Sequence, residues 1–295
     1  MKKAAFILLA LLFSTGIFAQ RSEIGVMGGI SYYMGDINTS KLFYKPNFMG
    51  GIVYRYNFNP RWAFKMNAIY GKIEGDDKDF GNIRNLNFRS RIVDLSAQIE
   101  LNFLPYFTGS KKARVAPYIF TGLALFSFNP QTDYVDPLTK ETQTVDLQPL
   151  STEGQGTIAN PNVGTYSLTQ LAVPFGLGCK ISLSKIVCLG FEWSYRMTFT
   201  DYLDDISGKY VDRVSLGAER GEKAVAVADR TPELLDPNTL APYSPNEAGA
   251  QRGNSNTKDW YSFVGISLTF KLNMKGHSRC DAYGGSGNYR ENIYR

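Results

Sequence analysis

The residues that could do chemistry in this chain are few. It holds one histidine, His277, three cysteines, Cys179, Cys188 and Cys280, and one dense acidic run from Thr200 to Gly208. General acid–base or nucleophilic catalysis usually needs a histidine set beside a carboxylate, serine or thiol. His277 follows the last patterned segment, away from every long joint, so no such pair can be assembled. A zinc site would need ligands at recurrent spacing, which one histidine and three scattered cysteines lack. The acidic run offers oxygen ligands for calcium but not the spacing of a calcium loop, and a solvated or locally hydrogen-bonded loop is expected there. No catalytic residue, no cofactor and no metal site is expected.

A second set of ionisable residues is more informative, because each falls on the polar side of an alternating stretch. These are Arg55, Lys65, Asp94, Glu100, Lys180, Glu192, Arg196 and Lys271. Enclosed charges must be paired and hydrogen-bonded, since desolvation costs several kcal/mol for each ion. Both signs are represented, so a network of ion pairs filling an interior is the expected arrangement, in preference to a conducting pore.

The elements that carry these charges are eight alternating stretches. Val93, Leu95, Ala97, Ile99, Leu101 and Phe103 face one way, with Asp94, Ser96, Gln98, Glu100 and Asn102 opposite. Successive side chains of a strand point to opposite faces, so this reads as a strand with one apolar and one hydrophilic side. Phe48 to Phe58, Trp62 to Tyr70, Val187 to Met197 and Trp260 to Leu272 repeat the pattern. Ile24, Val26, Ile30 and Tyr32 mark a further apolar face, as do Leu171, Val173, Phe175, Leu177 and Ile181. Residues 118–128 are apolar on both sides, and their faces are left unassigned.

The joints alternate in length. Short ones fall at 57–61, 105–114 and 182–185; long ones fall at 35–45, 75–90, 130–169 and 200–259. That asymmetry, with alternation, predicts an all-β fold: an eight-stranded antiparallel transmembrane β-barrel with periplasmic turns and extracellular loops. Tyr56, Phe58, Trp62 and Phe270 are expected near one membrane interface, and Tyr32, Phe48, Tyr70 and Trp260 near the other. A mean hydropathy of −0.22 fits, because half of each strand faces a polar interior. The charge of +5 is dispersed, which argues against a nucleic-acid partner.

The ends add to this. Lys2 and Lys3 precede an apolar stretch, 4–18, and Ala19 offers a cleavage point before Gln20, which reads as a secretory signal over 1–19. The barrel is expected over 20–272 and a periplasmic tail over 273–295, which places the protein in the outer membrane with both termini periplasmic. By parity Cys179 faces lipid and Cys188 the lumen, so the two should not bond, because paired residues of a hairpin share a face. The tail carries His277, Cys280, Tyr283, Tyr289 and Tyr294, and it reads as a docking arm. Cys280 is expected either as a free thiol or in a disulfide with a periplasmic partner.

Four segments together carry a family resemblance. They are Tyr32-Tyr33-Met34-Gly35-Asp36-Ile37, Tyr54-Arg55-Tyr56-Asn57-Phe58-Asn59-Pro60-Arg61-Trp62, Thr200-Asp201-Tyr202-Leu203-Asp204-Asp205-Ile206-Ser207, and Arg252-Gly253-Asn254 leading to Asp259-Trp260-Tyr261. In this order they resemble the PorG family of outer-membrane barrels from Bacteroidota. The resemblance implies a non-enzymatic component of the type IX protein secretion system that anchors a periplasmic ring of a lipoprotein and its partner. A passive porin or small-ligand carrier is the alternative, and a surface adhesin working through the long loops is a third.

Overall fold

A computed structural model describes residues 22–106, 108–109 and 114–272. The strands are β1 (Ser22–Met34), β2 (Asn47–Asn57), β3 (Trp62–Asp76), β4 (Asn87–Asn102), β5 (Val115–Val135), β6 (Thr142–Asp146), β7 (Thr169–Ser182), β8 (Val187–Thr198) and β9 (Trp260–Lys271). All pairings are antiparallel, in the order β4-β3-β2-β1-β9-β8-β7-β5, and β4 pairs with β5 to close the ring. The molecule is thus a closed eight-stranded barrel. The ring leaves no strand edge open along its wall, which is what a sheet in lipid requires.

A ninth strand lies where a loop was expected. β6 pairs with the far end of β5, from Gln131↔Asp146 to Val135↔Thr142. A strand crosses a membrane in about 9–11 residues, yet β5 has 21, β4 has 16 and β3 has 15. The surplus projects past the ring on the long-joint side, and β6 covers part of the edge so exposed.

Alternation sorts the faces. On β4, Asp94, Ser96, Gln98, Glu100 and Asn102 are buried in the lumen, while Val93, Leu95 and Ile99 stand on the outer surface. β5 resolves the stretch whose faces could not be assigned. Tyr118, Phe120, Phe126 and Phe128 point inward; Ile119, Leu123 and Leu125 point outward. Its inner side is apolar because its rings receive the cations opposite: Lys65 Nζ sits 4.4 Å from the Phe120 ring centroid, and Lys180 Nζ 4.6 Å from that of Tyr118.

Two placements differ from the sequence expectation. Tyr32 has outward parity but is fully buried, because Phe43 of the first long joint folds over it and Trp193 Nε1 donates to its hydroxyl at 3.1 Å. The joint after β4 does more than reverse the chain. Tyr106 and Thr108 fold back into the short-turn mouth, where Thr108 Oγ1 donates to Glu23. Gly109 makes the return possible: its φ is 93°, and a Cβ there would lie 2.7 Å from the Lys185 carbonyl oxygen.

Candidate functional site

The lumen holds two tiers of charge, positioned by register. Near the short turns, β1 pairs with β2 so that Glu23 faces Arg55. Arg55 Nη1 donates to Glu23 Oε2 at 3.0 Å and Nε to Glu100 Oε2 at 2.9 Å. Glu100 also accepts from Lys180 at 2.5 Å and lies 3.3 Å from Lys65 Nζ. Lys65 bonds Glu192, which accepts from Tyr118 Oη at 2.8 Å. A second tier lies nearer the long joints: Arg196 Nε donates to Asp94 Oδ2 at 2.9 Å, and Tyr261 Oη donates to the same oxygen at 2.9 Å. Above it Phe126, Phe128, Tyr261 and Phe263 form an aromatic layer.

These cations have almost no water-accessible surface: 1% for Arg55 and Lys65, and 0% for Lys180 and Arg196. A pore would leave them wetted. The lumen is filled by its own side chains, as expected for eight strands.

Lys271 differs from the other seven lumen candidates. It is half-buried at the end of β9 and outside the network, with no acid partner among the described residues. Glu23 takes its place in the network as a member that sequence reasoning overlooked. The signal was available, since Ile24 and Val26 on the outer face put Glu23 on the inner one.

The acidic run is locally hydrogen-bonded, Ser207 Oγ donating to Asp201 Oδ2 at 2.6 Å, but it is not solvated. Asp201, Asp204, Asp205 and Ser207 are buried at the heart of a cap built from all four long joints. The long joint between β5 and β7 supplies Glu153, whose Oε1 accepts from Ser207 N at 2.9 Å and from Arg252 Nη1 at 3.0 Å. It also supplies Thr152 and Tyr166; the Tyr166 hydroxyl donates to Asp205 Oδ1 at 2.7 Å. Arg84, between β3 and β4, binds Asp77 through Nε at 2.8 Å and donates to the Arg252 carbonyl at 2.5 Å. Asp36, after β1, accepts from Asn254 N at 2.9 Å. The expected solvation fails because these joints fold onto one another, which burial along a single loop cannot reveal.

Charge in the cap is unbalanced. Burial pushes the Asp205 carboxyl up to about 6, against the pull of Arg252. Burial also pushes Asp201 up to about 6, with Asp36 and Glu153 adding to the rise. Arg252 is pulled down by its own burial but is raised on balance by Glu153 and Asp205. Among the described residues, no group of three or more His, Cys, Asp or Glu side chains is set to hold a metal ion.

Cys179 is half-buried on the outer face and Cys188 is buried in the lumen; both are free thiols. Residues 1–19 and the tail residues His277, Cys280, Tyr283, Tyr289 and Tyr294 lie outside the described residues.

Taken with a band of exposed Ile24, Val26, Ile52, Leu95, Leu123 and Ile266 around the ring, this is an outer-membrane-type β-barrel whose lumen is closed by ion pairs. The chain belongs to the family described as Domain of unknown function (DUF6089), whose model matches residues 2–151. No curated protein matches the sequence. Similar solved structures include Neisserial surface protein A, at TM-score 0.38 and 10% identity, covering 85% of this chain and 96% of that one. OprG from Pseudomonas aeruginosa aligns at TM-score 0.37 and 9% identity, over 85% of this chain and 97% of its own. Ail of Yersinia pestis, crystallised with the heparin analogue sucrose octasulfate, aligns at 0.36 and 8%, over 85% and 98%.

Proposed function

We propose that this protein is a non-enzymatic, integral outer-membrane component of the type IX secretion system that anchors the periplasmic ring of a lipoprotein and its partner. In this reading the short turns and the tail face the periplasm, and the long joints form the outer cap. The observation that carries the structural role is the closed lumen. Lys65, Lys180, Arg55 and Arg196 are sequestered in ion pairs, and Tyr106 and Thr108 fill the short-turn mouth. A barrel closed in this way has no route for solute, so its contribution lies at its ends. The four sequence segments that resemble the PorG family supply the particular system.

The test is a mild-detergent pull-down from outer membranes, comparing wild type with Cys280→Ser on non-reducing gels. Co-purification of a ring lipoprotein is the expected result. A reducible higher-mass band lost in the variant adds a covalent link through Cys280. A folded, abundant barrel with no periplasmic partner, and with measurable conductance in planar bilayers, overturns the anchor in favour of a passive porin.

A further inference from the structure

The exit of β1, the acidic run after β8 and the residue before β9 converge on one hydroxyl. Tyr33 Oη bonds Asp204 Oδ2 and stands 3.1 Å from Asp259 Oδ1. The remaining carboxyl oxygens are held by backbone: Ile206 N donates to Asp204 Oδ1 and Leu203 N to Asp259 Oδ2, each at 2.9 Å. All three side chains are buried. Gly35 walls the same point, since a Cβ there would fall 1.9 Å from Asp259 Oδ1 and 2.2 Å from Tyr33 Oη.

A tyrosine hydroxyl has one proton to donate. Facing two ionised carboxylates, it can satisfy only one, and the other contact sets lone pair against lone pair. The surrounding groups do not supply the missing charge. Asp36 faces the node from the chain after β1, and Asp201 from the run itself. Arg84 draws Asp204 down only in part, being bonded to Asp77; Arg252 is engaged by Glu153 and Asp205, and Lys258 is exposed, donating to the Ser255 carbonyl at 3.2 Å. Asp201 Oδ1 is buried with no hydrogen-bond partner, so the shortage of donors extends beyond the pair.

We propose that Tyr33, Asp204 and Asp259 form a proton-held latch: protonated Asp259 donates to Tyr33 Oη, which donates to Asp204, and loss of that proton to water loosens the loop cap. Burial, then the charge of Asp36, raises Asp204 well above the usual carboxylate range; burial, then Asp204, Asp201 and Asp36, does the same for Asp259. In an opened cap both carboxyls return to ordinary values. The closed cap therefore retains a proton that the open one releases. Closure is tightest at low pH and weakens as pH rises from the usual carboxylate range to the raised one. This latch does not depend on the secretion role.

Hydrogen exchange on the refolded full-length barrel in detergent tests it, over about pH 5 to about pH 9 with intrinsic rates corrected. Amides of residues 203–206 and 257–259 are followed, with those of β4 as internal reference. The expected result is an opening fraction that grows with pH, by up to about tenfold per unit for one proton, while β4 stays level. Asp259→Asn puts a permanent amide donor where the carboxyl proton sits, so it should protect these amides at high pH and flatten the profile. A wild-type profile that is flat, or more protected as pH rises, overturns the latch whether or not the variant folds. An Asp259→Asn cap that is folded but less protected at every pH also overturns it.

Discussion

Arg252 and Glu153, 99 residues apart in the chain, meet at 3.0 Å in the centre of the loop cap, each almost wholly buried. The pair joins the joint between β5 and β7 to the chain leading into β9. Arg252 Nη1 also donates to the Asp205 carbonyl at 2.6 Å, and its Nε to the Ala228 carbonyl at 3.1 Å. One guanidinium thus ties together segments from two long joints.

Removing that guanidinium should unfasten the cap and spare the ring. Arg252→Ala leaves Glu153 and Asp205 buried without a cation, a change that typically costs about 3–5 kcal/mol. Limited proteolysis should then cut within residues 212–256, while the barrel keeps its heat-modifiable migration on gels.

Glu100 is the hub of the lower lumen tier, accepting from Arg55 and Lys180 and lying against Lys65. Glu100→Ala leaves Lys180 without its acid partner in a desolvated lumen and removes one of two from Arg55 and Lys65. Barrel stability in urea should fall by about 3–5 kcal/mol. Glu100→Gln keeps the shape and loses the charge, so a loss of similar order is expected from the same titration.

The outer face is tested by charge. Leu123 is 65% exposed on the outer side of β5, opposite Ala97 of β4. If that face meets lipid, Leu123→Arg should lower folding stability into bilayers by about 2–4 kcal/mol. Thr142→Lys, on exposed β6 beyond the ring, should stay within about 0.5 kcal/mol. Refolding titrations into lipid vesicles distinguish the two.

Protonation of Asp205 should be visible apart from the Tyr33 node. Its carboxyl is held at about 6 by burial, above its value in an opened loop. Its contribution to closure is therefore complete below the ordinary carboxylate range and lost as pH rises toward about 6. A carbon-detected titration of labelled aspartate should find its midpoint there, and Arg252→Ala, by unfastening the cap and wetting the carboxyl, should return it toward the ordinary carboxylate range.

Much of the barrel was legible in the chain, because one physical rule writes it. A strand between lipid and a closed lumen must alternate, so Val93 to Phe103 declares both its direction and its faces. The charges at Arg55, Lys65, Asp94, Glu100, Lys180, Glu192 and Arg196 follow from the same parity. Glu23 was equally readable and was passed over in a shorter, glycine-rich stretch. β5 resisted, since its inner aromatics serve as partners for cations on other strands and carry no polar mark of their own.

The cap was not legible. Thr200 to Gly208 looks solvated as a sequence, because acidic residues with a glycine usually are. Its burial depends on Glu153 and Arg252 arriving from distant joints without periodicity, and on Tyr33 closing over Asp204 and Asp259. The chain by itself determined the strands, their faces and the length asymmetry of their joints, all set by nearest-neighbour alternation. The tertiary structure alone decided which charges pair across the lumen and that the long joints fold into one buried acidic cap, because those contacts join residues that only ring closure brings together.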